Sequence, residues 1–276
     1  MRTRSSGRTD LSREEVQKAI DAVGGWWHSI ELADGLFTPG GKSPEVLQNE
    51  LAGMQLPNLR GKTVLDIGAW DGFFSFTAER LGAKRVVALD HYVWSFDNQA
   101  YWEYINDCKA KGVKPQPYHT IPSIWRPDTL PGKRGFDTAH RILGSKVDSV
   151  VGDIMTIDLD QLGTFDVVLF LGVLYHMEDP VAAMRRVAQV ARDLVVMETA
   201  ASCVPGYEEA SLWEFYPTTE LGGDPTNWWA PNAKALRDVC EAAGFSEVNT
   251  FEDKASLAQL EPGNVHPYRL MAHARK

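Results

Sequence analysis

The chain has 276 residues, of which 44% are hydrophobic and 24% charged, and its formal net charge is −9. This balance is typical of a folded globular protein and excludes a mainly disordered chain. No segment reaches the roughly 18 consecutive apolar residues that a membrane span needs. The acidic charge provides no electrostatic footprint for a polyanion, so bulk nucleic-acid binding is disfavoured.

Three cysteines, Cys108, Cys203 and Cys240, are widely spaced and form no Cys-x-x-Cys pattern. Neither a disulfide framework nor a zinc site is therefore expected. The first eight residues are basic, but acidic residues and no apolar run follow them, which argues against a secretory signal. We expect a cytoplasmic protein without a membrane partner, and the sequence leaves its oligomeric state open.

Residues 1–58 are predicted to form a helical arm or lid. Ser12 followed by Glu15 has the pattern of a capping box and predicts an amphipathic helix over 11–22, before two glycines. A second helix is expected over 44–54. Residues 59–276 are then the main domain, with inserts at about 92–144 and about 200–230.

Within this main domain, short β-branched runs alternate with helical patterns. The expected strands are 63–67, 85–89, 147–151, 165–170 and 194–197, followed by a hairpin of 245–251 and 268–273. The expected helices are 73–81, 180–191 and 231–243. Strands that alternate with helices predict an α/β fold with a doubly wound, mostly parallel sheet, here of seven strands.

The two inserts are rich in aromatic residues and hold many of the nine tryptophans. Long inserts in a compact domain are usually lids or substrate-binding segments. Most of these aromatic side chains are expected to anchor the inserts to the domain. The doublets Trp26-Trp27 and Trp228-Trp229 also offer flat faces on which a sugar ring or a nucleobase can stack.

The run VLDIGAWDG places Gly68 and Gly72 directly after the first predicted strand, and Asp90 ends the second. Glycines let the backbone approach a ligand closely, and an acid after the second strand can accept both hydroxyls of a ribose. A nucleoside cofactor is implied. The spacing G-x-G-x-x-G is absent, and Asp71 would repel a pyrophosphate while suiting a cofactor with an amino group. These features favour S-adenosylmethionine over NAD.

These motifs, in this order, resemble those of the class I S-adenosylmethionine-dependent methyltransferases, which have a Rossmann-like fold. The motifs are Val64–Gly72, Asp90, Gly152-Asp153-Ile154 and Phe165–Val168. Further motifs resemble the bacterial tRNA wobble-uridine carboxymethyltransferase family and its small-molecule relatives, among them sugar O-methyltransferases. They are LGVLYH at 171–176, Asp179-Pro180, Glu198-Thr199 and Pro231-Asn232.

The resemblance implies roles for particular side chains. Asp66 and Gly68 would hold the methionine end of the cofactor, Asp90 the ribose, and Asp153 with Ile154 the adenine. Tyr175 would stand near the sulfonium. The full set of residues expected to bind the cofactor is Asp66, Gly68, Trp70, Gly72, Asp90, His91, Asp153, Ile154 and Leu171.

One departure from the family concerns the cofactor. Members that use a carboxylated cofactor carry a lysine just upstream of the segment corresponding to Trp27–Ile30, where this chain has Gly24-Gly25-Trp26. We therefore expect ordinary S-adenosylmethionine and not carboxymethyl transfer.

Methylation of a hydroxyl requires a base, and the catalytic candidates are His176, Tyr175 and Glu198. His176 follows the fourth predicted strand and is the candidate base, with packing over the cofactor as the alternative role. A divalent cation such as Mg²⁺ could assist, but no spacing is diagnostic of a metal site. The groups available for it are His91, His119, His140, His176, Glu178, Asp179 and Glu198.

We therefore expect an S-adenosylmethionine-dependent O-methyltransferase acting on a small polar acceptor, in first place a saccharide. The alternative is a tRNA wobble-uridine (carboxy)methyltransferase, which requires a continuous positive groove. The basic residues available for such a groove are Arg126, Lys133, Arg134, Arg141 and Lys146. A third hypothesis is a cofactor-binding protein that has no catalytic activity.

Overall fold

The structure is a computed structural model that describes residues 11–252 and 260–276. The expectation about the first eight residues concerns a segment outside this part. The described residues form two compact units. Unit 1 comprises 11–52, 57–113 and 118–152, and unit 2 comprises 53–56, 114–117, 153–252 and 260–276.

The regular elements alternate along the chain. The helices of the described residues are α1 (Arg13–Asp21), α2 (Pro44–Met54), α3 (Phe73–Arg80), α4 (Asn98–Lys111), α5 (Arg134–Leu143), α6 (Leu159–Leu162), α7 (Pro180–Val190) and α8 (Ala233–Ala242). The strands are β1 (Glu31–Ala33), β2 (Leu36–Phe37), β3 (Thr63–Ile67), β4 (Arg85–Asp90), β5 (Asp148–Val151), β6 (Phe165–Leu171), β7 (Ala191–Cys203), β8 (Trp213–Phe215), β9 (Trp229–Pro231), β10 (Glu247–Phe251) and β11 (His266–Arg275).

Seven of these strands belong to the central sheet. In unit 1 the order is β3-β4-β5, and all three strands are parallel. In unit 2 the order is β10-β11-β7-β6, in which β6 and β7 are parallel and β11 is antiparallel to β7 and β10. The predicted α/β, Rossmann-like fold with a mostly parallel sheet of seven strands is confirmed, including its terminal hairpin.

Helix α1 begins as its sequence predicts. The Ser12 hydroxyl accepts a hydrogen bond from the Glu15 amide at 3.3 Å, and the Glu15 carboxylate accepts one from the Ser12 amide at 2.8 Å. These reciprocal bonds satisfy two amides that the first helical turn would otherwise leave unpaired. The apolar face of the helix buries Val16 and Ile20. The predicted capping box is therefore confirmed.

Strand β7 is much longer than the predicted 194–197. It extends to Cys203 because β11 pairs with it from Leu194 opposite Arg275 to Cys203 opposite His266. The residues after Met197 include small and polar side chains, which carry no strand signal by themselves. Pairing with a neighbouring strand, not local propensity, determines where this strand ends.

The first insert contains two helices that the sequence analysis did not predict, α4 and α5. Asp97 caps α4 by accepting a hydrogen bond from the Ala100 amide at 3.1 Å, and Gly112 ends it at a φ of 63°. An acidic cap and a terminal glycine are recognisable helix boundaries, so the sequence held a usable signal.

Two of the six tryptophans of unit 1, Trp94 and Trp26, are part of its core. Trp94 is fully buried, and its indole N–H donates to the Trp70 carbonyl at 2.6 Å. Trp26 is also buried and donates to the Ile20 carbonyl at 3.2 Å. These side chains anchor the arm and the first insert, as large aromatic groups commonly do. Within the described ranges, no helix combines the length and apolar character required to cross a membrane.

Candidate functional site

A glycine-dependent turn connects β3 to α3 in unit 1. Gly68, Trp70 and Gly72 all have positive φ angles, of 77°, 49° and 89°. A Cβ atom at Gly72 would lie 2.5 Å from the Phe76 ring and 2.8 Å from the Phe136 ring. Only glycine fits at position 72, so the backbone carries no side chain there, at the start of α3. This geometry fits the close backbone approach that a nucleoside cofactor requires.

Asp66 lies in β3 just before this turn and is buried. Its carboxylate accepts a hydrogen bond from the Ser75 hydroxyl at 2.5 Å. Burial raises the pKa of Asp66 to about 6, although the bond from Ser75 opposes the shift. Asp66 is therefore mainly ionised only above about pH 6.

Asp90 ends β4 and supports the same turn. Its Oδ2 accepts a hydrogen bond from the Trp70 amide at 2.9 Å, and its Oδ1 accepts one from the Val93 amide at 3.1 Å. Burial raises the pKa of Asp90 to about 6 against the effect of these amides. A carboxylate oxygen can accept more than one hydrogen bond, so this geometry is compatible with binding ribose hydroxyls as well.

Asp71 has a different role from the one its position in the turn suggested. Its Oδ2 accepts hydrogen bonds from the Trp27 and His28 amides, both at 2.8 Å, and its Oδ1 contacts His28 Nδ1. Asp71 and His28 are both buried. The carboxylate therefore binds the N-terminal arm. The sequence analysis assigned its charge to the choice of cofactor, whereas in the structure this charge holds the arm in place.

Ring stacking supports the same attachment of the arm. The Trp27 and Trp70 rings are nearly parallel, with centroids 4.9 Å apart, and the His28 ring stacks on Phe73 at 5.6 Å. We call residues 27 and 28 together with Asp71 the arm latch. The latch joins positions 43 residues apart, so no local sequence pattern predicts it.

The other expected cofactor residues occupy ordinary structural positions. Asp153 accepts a hydrogen bond from the Met155 amide at 2.8 Å, and the carbonyl of buried Ile154 accepts one from Arg186. Leu171 ends β6, and the His91 ring packs edge-on against Trp125 at 5.3 Å. Their contacts with a cofactor stay predictions.

His176 lies in unit 2 on a short 3-10 turn after β6. Its Nδ1 is 3.0 Å from the Thr226 hydroxyl oxygen and 3.2 Å from the Thr226 carbonyl oxygen. The carbonyl can only accept, which places the ring proton on Nδ1 and leaves Nε2 as the basic nitrogen. Burial lowers the pKa of His176, with the Asp224 charge opposing, so the ring is neutral at pH 7.

The other two catalytic candidates are joined by Arg269. The guanidinium pairs with the buried Glu198 carboxylate through two hydrogen bonds and lies 5.0 Å from the Tyr175 ring centroid. Burial raises the pKa of the Tyr175 phenol, with the Arg269 charge opposing. Glu198 is thus paired with a cation and Tyr175 stays protonated, which leaves His176 as the candidate base of the three.

Strands β8 and β9 form a small hairpin sheet with an aromatic surface. The Trp229 ring contacts both Phe215, at 4.8 Å between centroids, and Trp213, at 6.3 Å. Phe215 is 50% exposed. The Trp228 amide, which adjoins this hairpin, donates to the Tyr175 carbonyl at 2.8 Å. We call the side chains of Trp213, Phe215 and Trp229 the aromatic hairpin.

An open surface groove of about 480 Å³ lies in unit 2 next to Arg269. It is lined by Gly53, Gln55, Thr250, Phe251, Glu252, Arg269 and Met271. Its lining has four hydrogen-bonding side chains and two apolar ones, so it is more polar than most small-molecule sites.

The sequence analysis missed three residues of unit 2. Thr226 and Asp224 hold the His176 ring, and Arg269 holds Glu198. The Asp-x-Thr spacing is typical of a turn in which the acid accepts a nearby amide, so the loop itself had a signal. Its contact with His176, across 50 residues, had none.

The basic cluster and the candidate metal ligands are also placed by the structure. Arg126 pairs with Asp97 at 3.1 Å and Lys133 with Asp137 at 2.5 Å, so two of the five basic side chains have acidic partners. His140 bonds the Val147 carbonyl, and Asp179 caps α7. Over the described residues, no three histidine, cysteine or acidic side chains are arranged to hold a metal ion.

Comparison with known proteins gives one family match and several distant relatives. The family described as Methyltransferase domain matches residues 42–250, more than half of the chain. The tRNA U34 carboxymethyltransferase of Campylobacter hominis is 24% identical over 199 residues, covering 72% of this chain and 55% of that protein. The enzyme of the same name from Shewanella loihica is 26% identical over 204 residues, covering 73% and 49%. The chain thus spans about half the length of these relatives.

A solved structure matches the chain over nearly its whole length. The N-terminal domain of EvdMO1, crystallised in the presence of SAH and D-fucose, superposes with a TM-score of 0.62 and covers 99% of both chains. The sequence identity is 17%, so this likeness concerns the fold.

Proposed function

Because this chain belongs to the methyltransferase domain family, we propose that it transfers a methyl group from S-adenosylmethionine to a hydroxyl of a small polar acceptor, in first place a saccharide. One observation carries the proposal for a hydroxyl acceptor. His176 is neutral and has its Nδ1 proton directed at Thr226, so Nε2 is the basic nitrogen of the ring. A hydroxyl, unlike an amine, needs such a base at neutral pH.

S-adenosylmethionine supplies a methyl group on a sulfonium sulfur, and the sulfur leaves as a thioether. We assign Asp66 and Gly68 to its methionine end and Asp90 to its ribose. Support comes from the glycine-dependent turn and from the buried acid at the end of β4. The SAH present with the EvdMO1 domain, which has the same fold, agrees with this cofactor.

His176 acts on the acceptor. Its Nε2 takes the proton of the hydroxyl as the oxygen lone pair forms the new bond to the methyl carbon. The electrons of the broken carbon–sulfur bond stay on sulfur, and the ring becomes an imidazolium. General-base assistance of this kind typically contributes about 10² to 10⁴ in rate.

A saccharide acceptor is favoured by the surfaces of unit 2. The aromatic hairpin offers flat apolar faces for the C–H groups of a sugar ring, and Phe215 is half exposed. The open groove beside Arg269 adds polar groups suited to hydroxyls. The structure of the EvdMO1 domain was determined in the presence of D-fucose, which is a monosaccharide.

Modification of a tRNA wobble uridine is the second candidate, because the curated relatives carry that name. It needs a continuous positive surface to bind the phosphates. Arg126 and Lys133 are already paired with acidic side chains, and the net charge of the chain is −9. These charges favour the neutral acceptor.

We also propose that residues 1–58 form the arm that the sequence predicts and that its residues 27 and 28 hold it against the glycine turn. The arm latch supports this assignment, because Asp71 within the turn binds the amides of Trp27 and His28.

The experiment that tests the function is transfer of a radiolabelled methyl group. The purified protein is incubated with labelled S-adenosylmethionine and one type of acceptor at a time. The acceptors are a panel of mono- and oligosaccharides and, in a separate reaction, bulk tRNA. We expect label in at least one saccharide, bound through oxygen, and none in tRNA. Strong labelling of tRNA alone would refute the saccharide proposal.

A further inference from the structure

We propose that Thr226 and Asp224 are positioning residues, which fix the His176 ring with Nε2 as its basic nitrogen and stabilise the charge that the ring acquires. This inference rests on the proposed function, because it gives His176 the task of removing the acceptor proton. It adds two residues that no sequence motif singled out.

The directions of the hydrogen bonds determine the arrangement. The Thr226 hydroxyl donates to Asp224 Oδ1 at 2.7 Å, so its only proton is used. The lone pairs of that hydroxyl then face His176 Nδ1 at 3.0 Å, and the Thr226 carbonyl adds a second acceptor at 3.2 Å. Two acceptors around Nδ1 require a proton on it, and a neutral ring then has none on Nε2.

The loop that carries Thr226 is itself held in place. Asp224 Oδ1 also accepts a hydrogen bond from the Thr226 amide at 2.8 Å, which closes a tight turn. Two residues later, the Trp228 amide donates to the Tyr175 carbonyl at 2.8 Å. The loop and the turn bearing His176 are therefore tied together both through the side chains and through the backbone.

The charges around the ring explain why an acid is useful there. Arg269 and burial both disfavour a positive ring, whereas Asp224 favours it. Tyr175, whose ring lies 4.3 Å away, stays uncharged, and Glu198 is paired with Arg269. Asp224 is thus the acid that offsets the imidazolium charge.

The proton balance gives these residues a part in the reaction without a chemical change of their own. The acceptor proton moves to Nε2, while Nδ1 keeps its proton and its bonds to Thr226. The ring then holds two protons and a positive charge, and the Asp224 carboxylate stabilises this charge through the Thr226 hydroxyl that lies between them. Afterwards Nε2 returns its proton to solvent, and the original tautomer is restored. Asp224 stays ionised throughout, as the orienting acid of a catalytic triad does.

The test compares Asp224→Asn and Thr226→Val with the unaltered protein. We expect Asp224→Asn to lower kcat about 10- to 100-fold with nearly unchanged KM values for the acceptor and S-adenosylmethionine. The rise of kcat with pH should move to lower pH, because loss of the Asp224 charge lowers the pKa of His176. Thr226→Val should lower kcat less, because the Thr226 carbonyl remains, and Thr226→Ser should recover most of the rate.

A matched control exists in the same insert. Thr218 donates to the Glu220 carboxylate through its hydroxyl at 2.7 Å and its amide at 2.9 Å, as Thr226 does to Asp224, but neither residue hydrogen-bonds His176. Thr218→Val and Glu220→Gln should leave kcat and the pH profile unchanged. The proposal is overturned if Asp224→Asn and Thr226→Val are folded and retain the kcat and pH profile of the unaltered protein, or if the controls lose as much.

A second measurement separates this inference from the proposed function. Nitrogen-15 NMR of the histidine rings, with His176 assigned by its loss in His176→Gln, reports the tautomer without any acceptor. We expect Nδ1 protonated in the unaltered protein and a mixture of tautomers in Asp224→Asn. If no saccharide is methylated but the tautomer is as described, the proposed function fails and the positioning survives. A proton on Nε2 in the unaltered protein would overturn the positioning itself.

Discussion

Burial acts in opposite directions on the acids and on the candidate base of this protein. It raises the pKa of Asp66 and of Asp90 to about 6, and it lowers the pKa of His176. All three groups are therefore in their working forms, two carboxylates and a neutral imidazole, only above about pH 6. Cofactor affinity and kcat should therefore both fall below about pH 6.

Asp90 provides the test for the cofactor. The carboxylate form accepts ribose hydroxyls better than the acid form, so affinity for S-adenosylhomocysteine should rise with pH through about 6 and then level off. Asp90→Asn should weaken binding at pH 7.5 by about 1 to 3 kcal/mol and should flatten this rise. Calorimetric titration at several pH values measures both effects.

The control for this experiment is Asp148→Asn, which alters an exposed acid on the neighbouring strand β5. It should bind like the unaltered protein. Because Asp90 also bonds the Trp70 and Val93 amides, circular dichroism must show that Asp90→Asn is folded. Unchanged affinity in a folded Asp90→Asn variant would remove the ribose role.

His176 provides the test for the base. His176→Gln should lower kcat about 10²- to 10⁴-fold at pH 7.5, while affinity for S-adenosylhomocysteine stays the same, because only proton removal is lost. His119→Gln, which alters an exposed histidine of the first insert, is the control. Equal kcat values for His176→Gln and the unaltered protein would show that proton removal does not depend on this ring.

At the scale of elements, the buried acid Asp71 forms the polar attachment of the arm, beside the ring stacking of Trp27 and His28. Asp71 accepts two amides and contacts the His28 ring, and asparagine cannot replace all three interactions. We expect Asp71→Asn to reduce the free energy of unfolding by about 3 kcal/mol. Hydrogen exchange at the Trp27 and His28 amides should accelerate more than exchange in strand β4.

Asp107→Asn is the matched control, since Asp107 forms an exposed pair with Lys111 within α4. Exposed pairs of this kind contribute less than about 1 kcal/mol. An Asp71→Asn variant with unchanged exchange at residues 27 and 28 would show that the arm is held by ring stacking alone.

The aromatic hairpin is an element with a separable role. Phe215→Ala should raise KM for a saccharide acceptor by roughly five-fold, about 1 kcal/mol, with little change in kcat, because a stacking face is lost and the base is untouched. Tyr207→Ala, which removes another exposed aromatic ring of the same insert, should have no effect. A fall in kcat with KM unchanged would instead place Phe215 in the chemical step.

At the scale of the whole molecule, local patterns predicted most of the fold. Strand β3 and helix α2 have the predicted bounds, because periodic apolar residues and clear breakers define them. The glycine turn was recognisable for the same reason, since its conformational requirement lies within five residues. Strand β7 was underestimated, because its end depends on a partner strand far along the chain.

The candidate site was predicted less completely, because its contacts join distant parts of the chain. Arg269 and Glu198 are 71 residues apart, and His176 and Thr226 are 50 apart. Composition indicated a neutral acceptor, and the pairing of Arg126 and Lys133 supports that expectation with particular contacts. For Asp71 the sequence prediction differs from the structure. This residue lies in the predicted cofactor motif, but its carboxylate binds an amide of the arm.

The most direct test of the account is the mass of the product formed in competition. The protein is given saccharides and tRNA together, with equal amounts of S-adenosylmethionine and its carboxylated analogue. The account predicts that a saccharide gains the mass of one methyl group in place of a hydroxyl hydrogen and that tRNA is unchanged. Gain of a carboxymethyl group by tRNA, with every saccharide unchanged, would contradict it.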